Sequence, residues 1–358
     1  MRRVKSKKGD VNISLSWIFM IILGSFFILF AYNVIDKYQE NEDLKYALEV
    51  KQAMRTVFNQ VGKTSDSDQV KLEYVGSLFK NSKVEIICNE NTPLLSINGD
   101  IDPNNHFLQS YPTFMTMIDE KDVPTTYIAV ESFNMPFKIT EMIAIISTKN
   151  IIVLDSNLEL TNNLLKKFNR GAYREKIVPV VYDLSVRDAN SIYQEFKNQN
   201  PSSIVFITSN TVNDLDLSQI EIYSHQLKIE VLNEKEGRIQ YVGDESYPYF
   251  DYDNSYSLIT MAVFSSPDAF KCSYNLLIEK IPYVYNFYME KTNILKEEGS
   301  CSASIDESTK RSKYEALNVA LDNVVGVNFI NLDDVKNNVE QVDSSLKDLE
   351  VFSCTYVY

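Results

Sequence analysis

The runs "IIVLDS" (Ile151–Ser156), "IVPVVYDL" (Ile177–Leu184) and "SSIVFITS" (Ser202–Ser209) decide how this chain folds. Each is short, apolar and closed by polar residues, and "MIAIIST" (Met142–Thr148) precedes them as a fourth run of the same kind. Amphipathic stretches from Leu158 to Asn169 and from Arg187 to Asn198 separate the later runs. Continuous apolar strands alternating with helices predict a parallel sheet covered on both faces. Ser156 with Glu159, and Ser185 with Asp188, read as capping boxes that start each helix directly after a strand.

This pattern is that of a Rossmann-like α/β unit, and its flanks read differently. Upstream, between Val70 and Phe137, "KVEIICNE", "PLLSING" and "TTYIAVESF" are bounded by Asn, Gly and Pro clusters and predict a small antiparallel β layer. Beyond Thr211, "QIEIYSHQLKIEVLNEKEGRIQYVG" reads as strands with a tight turn at Lys235 to Gly237, and "YSLITMAVF" as a return to the sheet. Three helices follow. The first is capped by Ser266, opens at Pro267 and closes at Gly299; "SIDESTKRSKYEALNVALDNV" and "NLDDVKNNVEQVDSSLKDLE" are the others. The closing "VFSCTYVY" is apolar enough to dock on the body.

At the other end, Val11 to Ile35 contains no Asp, Glu, Lys or Arg. A helix of about 25 residues reaches roughly 37 Å, enough for a hydrocarbon core of about 30 Å. Arg2, Arg3, Lys5, Lys7 and Lys8 precede it, whereas Asp36, Glu40, Glu42 and Asp43 follow. That asymmetry predicts a cytoplasmic N-terminus and an extracellular remainder on the cell membrane. Leu44, Ala47, Met54, Phe58 and Val61 then recur at nearly helical spacing, a stalk that packs on its own domain. The expected organisation is a basic tip at 1–10, a transmembrane helix at 11–35, a stalk at 36–64, an α/β domain at 65–265 and a helical region at 266–358.

The chain has 358 residues and a formal net charge of -14, and its basic tip leaves the exterior part more acidic still. Such a surface repels nucleic acid and anionic lipid, so a polyanion-binding role is excluded from the expectation. Cys88, Cys272, Cys301 and Cys354 form an even set on a side expected to be oxidising, where disulfides persist. A helix from Pro267 to Gly299 holds Cys272 and Cys301 about 40 Å apart, beyond the roughly 7 Å limit for a bridge. Cys301 and Cys354, which flank the terminal helices, are a candidate pair. No CxxC or His spacing points to zinc.

Parallel sheets bind ligands at the C-terminal ends of their strands, which makes Asp155 and Asp183 the weak catalytic candidates. The adjoining capping boxes favour the plainer role of turn residues satisfying helix N–H groups. Neither turn has the glycines of a phosphate cradle, so no cofactor is expected. Asp244, Glu245, Asp251 and Asp253 gather in "YVGDESYPYFDYDNSY" as weak metal candidates, without the spacing of an EF-hand. His106 and His225 stand beside no nucleophile motif and read as surface or core residues.

"KKGDVNISLSWIFMIILG" and "SFNMPFKITEMIAII" together resemble archaeal membrane-anchored proteins with one N-terminal transmembrane helix and a large exterior domain. The resemblance implies no activity, catalytic residue or partner, but an archaeal surface setting. "KKG" before the apolar helix also resembles the cleavage signal of type IV pilins, cut after Gly9. The residue at the fifth position after that cut is Ser14 where the family has Glu. The expectation is a single-pass surface protein that binds or assembles, with the bilayer and another surface or envelope protein as partners. An exterior enzyme and a pilin-like subunit are the alternatives.

Overall fold

The apolar runs at the centre of the chain become neighbouring parallel strands whose side chains alternate between two cores. The computed structural model describes residues 71–74, 84–89, 92–97, 100–101, 112–115, 126–147, 150–170, 173, 177–233, 235–251, 255–299, 301, 306–327, 329 and 331–354. All belong to a compact unit from Phe58 to Tyr358. The expected transmembrane helix at 11–35, the stalk at 36–64, Gly9, His106 and Asp253 lie outside the described residues. Among the described residues, no helix is long and apolar enough to cross a membrane.

The first strands are β1 (Lys71–Tyr74), β2 (Val84–Asn89), β3 (Thr92–Ile97), β4 (Asp100–Ile101), β5 (Thr113–Met115), β6 (Thr126–Asn134) and β7 (Lys138–Ser147). The central region holds β8 (Asn150–Asp155), α1 (Thr161–Phe168), β9 (Ile177–Tyr182), α2 (Ala189–Phe196), β10 (Ser203–Ser209), β11 (Tyr223–Asn233), β12 (Glu236–Tyr241) and β13 (Ser246–Phe250). Four helices complete the order: α3 (Ser257–Val263), α4 (Pro267–Glu298), α5 (Glu307–Val325) and α6 (Leu332–Val351).

The architecture is mixed α/β. A six-stranded sheet is ordered β13-β12-β11-β10-β8-β9. Strands β9, β8, β10 and β11 run parallel, and β12 and β13 return antiparallel. Ile152, Leu154, Val205 and Ile207 enter one core, while Ile151, Val153, Ile204 and Phe206 enter the other, the two-residue alternation of a strand buried on both faces. Each such side chain contributes about 1.5–3 kcal/mol. Helix α1 adds Leu164 and Phe168 to the first core, and α2 adds Ala189 and Ile192 to the second, so the two crossovers cover opposite faces.

Four expectations are corrected. "MIAIIST" is not part of the parallel sheet: it lies in β7, within a four-stranded sheet ordered β1-β6-β7-β5. The hairpin that pairs Asn134 with Lys138 closes a short loop, and a short loop costs less entropy than a distant partner. "YSLITMAVF" is helix α3, not a strand. Every residue from Ser257 to Val263 is buried, so the run has no alternation and apolarity alone cannot separate strand from helix.

Strand β11 starts at Tyr223, leaving "QIEI" outside it, and its hairpin turns between Asn233 and Glu236. Gly237 already belongs to β12, where a Cβ would collide with the Glu230 carbonyl and sit 2.7 Å from the Tyr249 ring. The capping boxes also fail. Helix α1 begins behind Leu160 with no side-chain cap, and α2 is capped by Asp188, whose carboxylate accepts from Ser191 N at 3.0 Å. Ser185 is engaged by Asp183 instead.

Helix α4 runs from the Ser266 cap, which accepts from Ala269 N at 3.3 Å, through Pro282 to Gly299. Leu317, Leu321 and Val324 of α5 and Val335, Val339 and Val342 of α6 recur at three and four residues and share the core of the sheet and α4. Strands and C-terminal helices therefore have one core across Ser265 and Ser266. Disulfides join Cys88 to Cys272, with Cα atoms 5.5 Å apart, and Cys301 to Cys354, at 3.8 Å. All four cysteines are paired.

Candidate functional site

Strand β8 ends at Asp155 and β9 ends one residue before Asp183, and the two strands are paired with Asp155 opposite Tyr182. Chain order reverses here: β9 lies on one side of β8 and β10 on the other, so Asp155 stands at the switch point where open α/β sheets form a crevice. The structure brings the two carboxylates together through one side chain. Asn157 donates its amide to Asp155 Oδ1 at 3.4 Å and to Asp183 Oδ1 at 3.1 Å. Its backbone N–H also reaches Asp155 Oδ1, at 3.2 Å.

The two acids differ in environment. Asp183 is exposed, and its Oδ1 accepts from Ser185 Oγ at 2.5 Å and Ser185 N at 3.1 Å. The Ser185 hydroxyl and then its amide hold the Asp183 carboxyl below the usual carboxylate range against the opposing effect of desolvation, with Asn157 adding least. Asp155 is fully buried, and its Oδ2 has no hydrogen-bond partner. Its carbonyl accepts from the Thr161 hydroxyl at the start of α1. Chemically this is a pair of Asx turns tied by an amide, with one enclosed carboxylate oxygen left over.

The next strand end is occupied similarly. Gln226 donates to Thr208 Oγ1 at 3.0 Å and to the Asn213 carbonyl at 3.2 Å, and accepts from Leu215 N at 2.7 Å. One buried amide thus fastens the loop after β10.

Among the described residues, the carboxylates of the acidic, aromatic loop stand apart. Asp244 and Glu245 precede β13 and Asp251 follows it, and a strand of this length separates them by about 20 Å. Glu245 pairs with Lys271 at 2.6 Å, which holds its carboxyl below the usual range. Asp251 is buried and accepts from Tyr256 N at 3.0 Å, fixing the entry to α3. Among the described residues, no three His, Cys, Asp or Glu side chains form a metal site.

One buried polar cluster escaped the sequence reading. Glu131 of β6 accepts from Tyr173 Oη at 2.7 Å and from Lys167 Nζ at 2.7 Å, and Lys167 also donates to the Ser255 carbonyl. Burial, and then the Glu131 charge, push the Tyr173 hydroxyl well above its usual range. The signal was present: Glu131 occupies the inward register between Ala129 and Phe133. His225 is buried between the rings of Tyr223 and Tyr241, 5.5 and 5.4 Å away, with no partner on either nitrogen. Burial lowers its pKa to about 3, so the ring is neutral.

Comparison with protein-family models, curated proteins and solved structures finds no match for this chain.

Proposed function

We propose that the chain is a single-pass membrane-anchored surface protein whose α/β body lies outside the cell membrane and serves binding or assembly. The observation that carries this reading is the pairing of all four cysteines, since such bonds persist on an oxidising side. The uncharged stretch from Val11 to Ile35, with cations before it and acids after it, supports the anchor and its direction. Residues 36–64 are then the stalk. In this reading the four parallel strands with α1 and α2 form a Rossmann-like unit that acts as a scaffold. The engagement of Asp183 in the Ser185 turn supports a structural role for the sheet end. The acidic surface suits a protein partner from the envelope, not a polyanion. Protease added to intact cells tests it: the body is digested and the N-terminal tip spared, and a protected body overturns the topology.

One observation favours a second reading, an exterior enzyme. Asp155 stands at the switch point with one carboxylate oxygen unpartnered. In that case Asp155→Asn abolishes a measurable turnover while the protein stays folded.

A further inference from the structure

Three buried carboxylates in this chain are matched by lysines. Glu131 is met by Lys167 at 2.7 Å, Glu141 by Lys138 at 2.7 Å and Glu236 by Lys336 at 3.6 Å. Asp155 has no such match. Its side chain is fully buried, it forms no ion pair among the described residues, and its Oδ2 accepts no hydrogen bond. A buried charge needs a countercharge or a metal ion, because water no longer solvates it.

The neighbouring groups supply the rest of a site. Asn157 and Asp183 stand at the same strand ends and are both exposed, so the Asp155 carboxylate is one side chain away from solvent. The Asn157 amide nitrogen lies between Asp155 Oδ1, at 3.4 Å, and Asp183 Oδ1, at 3.1 Å. Two anionic oxygens thus face one point, which the amide fills with only a partial positive charge.

We propose that Asp155, Asp183 and Asn157 hold a hard divalent cation, magnesium or calcium, that clasps the ends of β8 and β9. The two acids give carboxylate oxygens, Asn157 turns its amide over to give its carbonyl oxygen, and waters fill the open side. An all-oxygen donor set selects these ions over zinc or copper. Two carboxylates suffice, since magnesium is usually held by one or two and keeps several waters. The ion takes the place of the amide nitrogen, and its shorter bonds, about 2.1 Å for magnesium, draw the two carboxylates together. The site needs neither the anchor nor any turnover at these acids.

The test uses the full chain in detergent, stripped with EDTA and dialysed, with magnesium chloride or calcium chloride added separately. Calorimetry is expected to show one site per chain for at least one of the two ions. The thermal midpoint rises with that ion, since a ligand of the folded chain stabilises it. Asp155→Asn and Asp183→Asn each keep the side-chain shape and weaken binding about tenfold or more, because ligand charge sets affinity. Asn157→Asp has the opposite sign. It sets three carboxylates together, so the midpoint falls without the ion and recovers with it, and binding tightens. An Asn157 that only ties two turns predicts the same fall with and without the ion, and that result overturns the proposal. So does binding that Asp155→Asn and Asp183→Asn leave unchanged, which assigns the ion to the acidic surface at large. Binding of neither ion overturns it too, and makes a proton the partner of Asp155.

Discussion

Glu131 of β6 and Lys167 of α1 form an ion pair at 2.7 Å, with only 2% and 13% of their side chains exposed. It ties the four-stranded sheet to the first crossover helix. A buried pair contributes little net stability over a well-packed apolar pair, yet stripping one partner leaves an uncompensated charge. Lys167→Met is therefore expected to cost about 3 kcal/mol. Combined with Glu131→Gln, the loss falls well short of the sum, and a double-mutant cycle by urea unfolding measures the coupling.

The His225 ring makes stability pH-dependent. Its folded pKa of about 3 lies below the ordinary 6.5, so the unfolded chain takes up the proton first as pH falls. The contribution is complete above pH 6.5 and is lost progressively toward pH 3, on the order of 5 kcal/mol in all. His225→Phe flattens the urea midpoint across that window. A midpoint that declines as steeply in the variant as in the parent assigns the acid sensitivity to other groups.

Peptide mapping without reductant is expected to yield Cys88 joined to Cys272 and Cys301 joined to Cys354. The helix between Cys272 and Cys301 holds them about 40 Å apart, and a bridge there would require breaking several turns for about 2–4 kcal/mol. Replacing Cys354 with Ser lowers stability by about 4 kcal/mol or less, given the 53-residue separation that the bond closes. A dominant peptide joining Cys272 to Cys301 contradicts a continuous α4.

Asp183→Asn and Asp155→Asn are expected to preserve surface display and partner capture, because both acids hold turns. Asp155→Ala is the harsher change. It removes the acceptor of the Asn157 backbone N–H and side-chain amide and costs about 1 kcal/mol, read from thermal unfolding.

What the sequence alone determined is whatever depends on neighbours in the chain. Ile151 to Leu154 and Ile204 to Ile207 are strands because short apolar β-branched runs between helical stretches have few other uses. Ser266, Pro267 and Gly299 bound α4 through local hydrogen bonds, and that length in turn separates Cys272 from Cys301. Only tertiary structure decided which segments meet. Met142 to Ser147 joined β6 and not β8, and Ser257 to Val263 coiled into a helix, because a run buried on all sides has no period to report. Asn157 bridging two strand ends and Glu131 meeting Lys167 were invisible for the same reason: a polar side chain's distant partner is chosen by packing. Helix α4 combines both. Its start and stop are written in the chain, but only the fold shows that Tyr283, Phe287 and Ile294 face outward while Ile281 and Tyr285 fill the core.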